Sequence, residues 1–314
     1  MRARSSNNSP LITGYLQEWQ LSLLASLFHG TVEQYSSLNL TKPTDRLPAL
    51  SGIAKGLQHL RSHYFAGLWS DSLCFNLMWR VNIINIDGTS GGRLPGYHGP
   101  SWSWISVTSP VCYWSDIQDF DGKSIHRNNN QFNRGYGIRN AIQPLGCNPW
   151  WVHVRVDLPG YNPFGTVTSA GMIAKASSKT AKLIYTYTSY SHGIIGASRK
   201  IGTYDHTRYK LEVIGRDSTV EVPFFADYAL GLEGPGHVPE RSEVTLFLVH
   251  PCISLVLRRK YDSVGWPASN EEEMGTRLDE IWARIGIIRV SENMMSYADG
   301  DLMWNHSVAG FCIA

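Results

Sequence analysis

The chain has 314 residues, 43% of them hydrophobic and 17% charged, with a formal net charge of +2. That length supports one large domain or two small ones with a sizeable core, and so small a charge argues against electrostatic binding to nucleic acid. No apolar run of roughly 18 residues occurs, so no membrane-spanning helix is predicted. The start, Met1-Arg2-Ala3-Arg4-Ser5-Ser6-Asn7-Asn8, lacks the apolar centre of a signal peptide. Cys74, Cys112, Cys147, Cys252 and Cys312 are odd in number and scattered. That pattern predicts free thiols in a reducing, cytoplasmic setting, and makes the sequons at Asn39 and Asn305 chance matches.

In chain order, Tyr15 to Phe28 carries Leu16, Trp19, Leu23 and Leu27 close to a helical period. A short segment, Val32 to Tyr35, follows. Thr44 or Asp45 is placed to cap a helix through Leu47, Leu50, Ile53, Leu57 and Leu60, with Pro48 tolerated near its first turn. Ser70 or Asp71 caps one more turn ending near Trp79. From there the period becomes two. Strands are predicted at Trp79–Ile86, Ser101–Val107, Val111–Ile117, Trp150–Leu158, Thr166–Ala176 and Ala181–Thr188. Further ones follow at Tyr209–Gly215, Val220–Phe225, Glu243–His250, Ser254–Arg259 and Ala283–Val290. Strands in series without intervening helices predict antiparallel pairing. The expected fold is α+β: an N-terminal helical collar over residues 1–78, packed on a large antiparallel β-barrel or sandwich body over 79–314, as one continuous unit. Two long loops, Asp121 to Gln143 and Asp262 to Asp279 (the second with the acidic run Glu271 to Glu273), are expected to be functional covers, or else disordered insertions or plain surface.

The eleven Trp and fifteen Tyr residues are in excess. Trp102, Trp104 and Trp114 fall within a dozen positions, on what should be two strands joined at Ser109-Pro110. There Trp102 and Trp104 would share one face, either as a core pair or as a pocket wall. Such rings suit a core, and equally an apolar pocket with a few polar handles.

Several blocks resemble one family. The run Val32-Glu33-Gln34-Tyr35-Ser36-Ser37 and the run from Leu40-Thr41-Lys42-Pro43 through Asp45-Arg46-Leu47-Pro48 to Ile53-Ala54 are similar to fungal heterokaryon-incompatibility (HET) proteins. So are Ala66-Gly67-Leu68-Trp69, Leu77-Met78-Trp79-Arg80-Val81 and Gly99-Pro100-Ser101-Trp102-Ser103-Trp104, with echoes at Asn162-Pro163-Phe164-Gly165, Leu255-Val256-Leu257-Arg258 and Arg284-Ile285-Gly286. The blocks keep the order of that family's C-terminal half. The resemblance implies the body's fold and a fungal source. The signalling half, likened to TIR domains, would lie upstream of these blocks, so the resemblance is not expected to carry the family's usual activity. It is also similar in outline to HET-like proteins encoded with fungal natural-product pathways, which implies a cyclase.

Catalytic signatures are missing: no Gly-x-Ser-x-Gly, no phosphate loop, no His-Glu-x-x-His and no dinucleotide fingerprint. His59 and His63, four apart on a predicted helix, lack a third ligand. No cofactor and no metal is expected. A cycloaddition requires neither, only a closed apolar cavity that folds the substrate and a donor aimed at its carbonyl. The expected function is a cofactor-independent intramolecular [4+2] cyclase acting on an apolar terpenoid or polyketide. The alternative is a non-catalytic interaction module. For the enzyme, the candidate catalytic residues are Tyr113, His98 (where the family usually has Arg) and Arg80, which is placed to bind a carboxylate or to pair with Trp79. Candidate substrate-binding residues are Trp79, Tyr97, Trp102, Trp104, Trp114, Tyr185 and Tyr187.

Overall fold

The computed structural model describes residues 10–38, 42–82, 96–114, 152–189, 205–214, 219–234, 236–250, 252–260, 280–290 and 308–314. Cys147, both sequons and the expected loops at 121–143 and 262–279, with their acidic run, lie outside these residues.

Helix α1 (Pro10–Ser36) is longer than the periodicity predicts and absorbs the segment 32–35. Its buried stripe also differs. Ala25, Phe28, His29, Val32 and Ser36 are buried, whereas Leu23 and Leu27 are 45% and 60% exposed. The stripe is disguised because two of its members are polar and satisfied: His29 Nε2 bonds Asn76 Oδ1 at 2.7 Å, and Ser36 Oγ accepts from the Val111 N–H at 3.0 Å. Helix α2 (Arg46–Leu57) starts after Asp45, which makes no side-chain cap. It buries Leu47, Leu50 and Ala54, while Ile53 faces out; it ends at Leu57, short of Leu60, which is exposed in the following turn. A short helix, α3 (Leu73–Leu77), closes the collar.

Between α2 and α3, strands β1 (Tyr64–Phe65) and β2 (Leu68–Trp69) form a tight hairpin. Its two central residues, Ala66 and Gly67, take φ of +46° and +96°, the left-handed backbone that two-residue hairpin turns require. Arg61 braces it with both Asp71 oxygens at 3.0 Å from Nε, and its guanidinium lies 5.2 Å from the Trp69 ring centre.

The tryptophan segment is not a hairpin. Strand β3 (Arg80–Val81) pairs with β4 (Val111–Cys112), and Ser101 to Ser106 is a turn followed by one 3-10 turn. Trp102 and Trp104 therefore do not share a strand face. The hydroxyls explain this. Ser103 Oγ donates to the Ala66 carbonyl at 2.5 Å, and Ser106 Oγ to the Ser103 carbonyl at 2.8 Å. The second bond is local and of the kind that competes with a ladder, while the first ties the segment to the β1–β2 turn instead of to a neighbouring strand.

The body is one eight-stranded sheet. Its members are β5 (Val152–Asp157), β6 (Ser169–Ser189), β7 (Asp205–Ile214), β8 (Thr219–Ala226), β9 (Glu243–His250), β10 (Ile253–Lys260), β11 (Ile281–Arg289) and β12 (Val308–Ile313). The hydrogen-bonded order is β10-β9-β6-β12-β11-β8-β7, with β5 on β6 and further pairings β10–β11 and β6–β7. The two strands expected at 166–176 and 181–188 are this single β6 of 21 residues. Strand β12 was not expected, and it runs parallel to β11 although the other ladders are antiparallel. It pairs with β6 through Val308 to Ile313, which brings a distant segment into the middle of the sheet.

Strands β9, β10 and β11 have apolar residues on both faces. Phe247, Val249, Leu255, Leu257 and Ile287 join the collar in one core, whereas Val244, Leu246, Val256, Ile285 and Ile288 join a second core with Leu183, Leu211 and Val222. Burial on both sides explains why apolar residues occupy consecutive positions in them rather than strictly alternating ones. Among the described residues, no helix is long and apolar enough to cross a membrane.

Candidate functional site

The first core holds the tryptophans. Trp79, Trp102 and Trp104 are completely buried, and their polar edges mostly engage backbone. Trp79 Nε1 donates to the Trp102 carbonyl at 3.0 Å, and Trp104 Nε1 to the Gly67 carbonyl at 3.1 Å. The tip of the β1–β2 turn thus receives the tryptophan loop. The approach leaves no room for a side chain, since a Cβ on Gly67 would stand 2.8 Å from Trp104 Nε1. Trp104 also meets Tyr35 edge-on at 6.2 Å, with the Arg46 guanidinium 5.8 Å from its ring centre. The buried indole N–H of Trp102 makes no hydrogen bond.

A buried ion pair sits beneath Trp79. Arg284 on β11 and Asp227 beyond β8 are both fully enclosed and joined at 3.0 and 3.2 Å. The same guanidinium donates to the carbonyls of Leu77 at 2.7 Å and Trp79 at 2.5 Å, and the Arg284 N–H donates to Ser101 Oγ at 3.0 Å. Ser101 Oγ in turn bonds the Ala314 carbonyl. Sequence reasoning placed Arg284 only in a family echo and missed Asp227. The available signal was a cation inside an apolar strand, which demands a buried partner.

Tyr113 follows β4. Its ring stacks on His29, centres 3.7 Å apart and planes 6° from parallel. Its N–H donates to Glu33 Oε1 at 2.6 Å. The phenol oxygen is buried and makes no hydrogen bond. Burial first, and the Glu33 carboxylate second, push its pKa far above the ordinary phenol range, so it stays a neutral O–H. Burial holds His29 down to about 4, against a smaller opposing pull from its bond to Asn76. Asn76 donates onward to the Trp69 carbonyl at 2.8 Å and to Ser72 Oγ at 2.9 Å. Tyr64, also buried without a hydrogen bond, lies near enough to raise Tyr113 further. Neither His29 nor Asn76 was singled out from sequence, because a His amid Phe28, Gly30 and Val32 reads as an ordinary helix residue.

The remaining candidates are spread out. Arg80 lies over Trp114, and Trp114 meets Phe225 edge-on at 5.4 Å. Tyr97 is 47% exposed, yet partial burial still raises its phenol above the usual range. His98 is half-buried in the same turn. Next to it Gly99 has φ +152°, and a Cβ there would stand 2.4 Å from the Ile105 side chain. Tyr185 belongs to the second core, packed edge-on to Tyr209 at 5.1 Å, its hydroxyl donating to the Val238 carbonyl. Tyr187 lies on β6 opposite Thr207; its side chain is outside the described residues. The structure thus brings Tyr113, Trp79, Trp102 and Trp104 into one core with Arg80 and Trp114 at its edge, and leaves Tyr185 in another. His59 and His63 are not on one helix: both are exposed in the turn between α2 and β1. No group of three or more potential metal ligands occurs among the described residues.

Comparison with protein-family models, with curated proteins and with solved structures gives no match.

Proposed function

We propose that the chain is a cofactor-independent intramolecular [4+2] cyclase acting on an apolar terpenoid or polyketide intermediate. The observation that carries this reading is the Tyr113 phenol: buried, held neutral, fixed by stacking on His29, and with its O–H unengaged. A neutral donor pre-oriented in an aromatic core is the group that polarises a dienophile carbonyl without proton transfer, and a dry setting strengthens it. Folding of the chain of reacting carbons against the surrounding rings supplies the rest by proximity. No step needs a nucleophile, a metal or an oxidant. The HET-like blocks are similar in outline to the norbornene-forming Diels–Alderase of the sordarin diterpenoid pathway, which supports the same reaction class. The pairings β10–β11 and β6–β7, which join strands from separate places in the order, support a rolled, barrel-like sheet around the second core.

The test is incubation of purified protein with a linear or monocyclic triene bearing a conjugated carbonyl. Acceleration and a single stereoisomer relative to buffer are expected. A rate and product ratio equal to buffer across a panel of such trienes would count against the enzyme.

A second reading is a non-catalytic interaction module. Leu23 and Leu27, one turn apart on α1, are both exposed, and contiguous exposed apolar surface marks contact sites.

A further inference from the structure

Arg80 leaves β3 half-buried, its guanidinium carbon 4.6 Å from the centre of the Trp114 ring and 5.5 Å from that of Phe225. Arg289, at the end of β11, sets its own guanidinium carbon 5.0 Å from the same Trp114 ring. Two cations therefore share one indole. Among the described residues no carboxylate pairs with Arg80. Its Nε is buried without a hydrogen bond, and so is the Trp114 indole N–H. Glu33, whose charge opposes that of Arg80 at Cys112, is engaged instead by the Tyr113 N–H at 2.6 Å. Donors withdrawn from water without acceptors are unfavourable. An anionic oxygen placed between the Arg80 guanidinium and the Trp114 N–H relieves this.

We propose that the Arg80–Trp114–Arg289 corner binds the carboxylate of a largely apolar ligand. A guanidinium offers the planar fork that fits a carboxylate, and the Trp114 and Phe225 rings offer the adjoining apolar wall. The inference rests on the cyclase reading for the ligand's role: the carboxylate orients the substrate from the edge of the core that holds Tyr113.

The experiment is calorimetric titration of the full chain at low salt with abietic acid, methyl abietate and geranylgeranyl diphosphate as probes. Abietate is expected to bind, and its methyl ester to bind roughly tenfold or more weakly. Arg80→Gln and Arg289→Gln should each weaken abietate by a similar factor, with Arg80→Lys recovering only part. Trp114→Phe keeps the ring and loses the N–H, and should weaken binding even if Arg80→Gln proves unstable. Equal binding of acid and ester, tighter binding of the diphosphate, no binding of any probe, or an unchanged affinity in these variants would overturn the proposal. The two readings separate cleanly. Cyclisation of trienes with no preference for a carboxylate leaves the cyclase and removes this site. Abietate binding without any cyclisation leaves this site and removes the cyclase.

Discussion

Arg284 sits over the Trp79 ring, its guanidinium carbon 3.6 Å from the ring centre, while donating to the carbonyl of the same residue. With Asp227 bonded to its Nε and one terminal nitrogen, this cation is compensated, and removing one partner strands a charge. Asp227→Ala is expected to lose about 3–5 kcal/mol of stability. The double variant Asp227→Leu with Arg284→Met should lose less than the sum of the single changes, because no orphan charge remains. Urea unfolding of the set decides it; strictly additive losses would mean that the two side chains are not energetically coupled.

Gly67 and Gly52 make opposite predictions for the same substitution. Gly67 has a left-handed backbone, and a Cβ there meets Trp104 Nε1 at 2.8 Å, whereas a Cβ on Gly52 in α2 meets nothing within 4 Å. Gly67→Ala should destabilise by more than about 1 kcal/mol, and Gly52→Ala should stabilise by about 0.5–1 kcal/mol. Thermal melts of both variants are the check. A neutral Gly67→Ala would mean that the turn and the tryptophan loop are not locked together.

Tyr113→Phe deletes a hydroxyl that makes no hydrogen bond. Stability should hold or rise slightly, since no bond is broken. Under the proposed reaction the rate should fall on the order of 10²-fold. Melting and single-turnover rate, measured side by side, separate the roles. A rate equal to the parent's would remove Tyr113 from the chemistry.

His29 gives a pH dependence with a definite sign. Its folded value is lowered from 6.5 to about 4, chiefly by burial. The unfolded chain therefore binds the proton first as pH falls. Stability is full above the unfolded value of 6.5 and declines down to about 4, by roughly 3 kcal/mol from this group. His29→Gln should flatten that stretch of a plot of stability against pH. An undiminished slope would assign it to other groups.

Burial pushes the thiols of Cys74 and Cys312 up to about 12 and about 11. Cys252 is only half-buried, with Sγ 3.0 Å from His250 Nδ1. Iodoacetamide at neutral pH should label Cys252 well before Cys74 and Cys312, which need unfolding first. Peptide mass mapping over time checks the order.

Strand β9 was legible to the residue, because Glu243 to His250 carries a long apolar stretch bounded by turn residues. β10 and β11 were legible to within two residues for the same reason. β12 was not, since its six residues, Val-Ala-Gly-Phe-Cys-Ile, owe their strand to β6 and β11 rather than to their own pattern. The Ser-Trp-Ser-Trp alternation misled in the opposite direction. Its residues have separate long-range reasons to be buried: Ser101 bonds Arg284 and Ala314, while Ser103 and Trp104 dock on the β1–β2 turn, which no periodicity reveals. At the candidate site, aromatic content pointed to Tyr113 and Trp114. Their partners His29, Phe225 and Arg289 are ordinary residues until the chain folds them together.

The contacts around Ser101 and Arg284 are also a statement about time. Leu77 and Arg284 are 207 residues apart, Ser101 and Arg284 183, and Ser101 and Ala314 213. Closing loops of that length before any reward is collected slows folding. Until β11 and β12 arrive, Trp79 and Ser101 lack the Arg284 and Ala314 partners that hold them, and apolar surface left uncovered during synthesis is the kind that aggregates or engages chaperones.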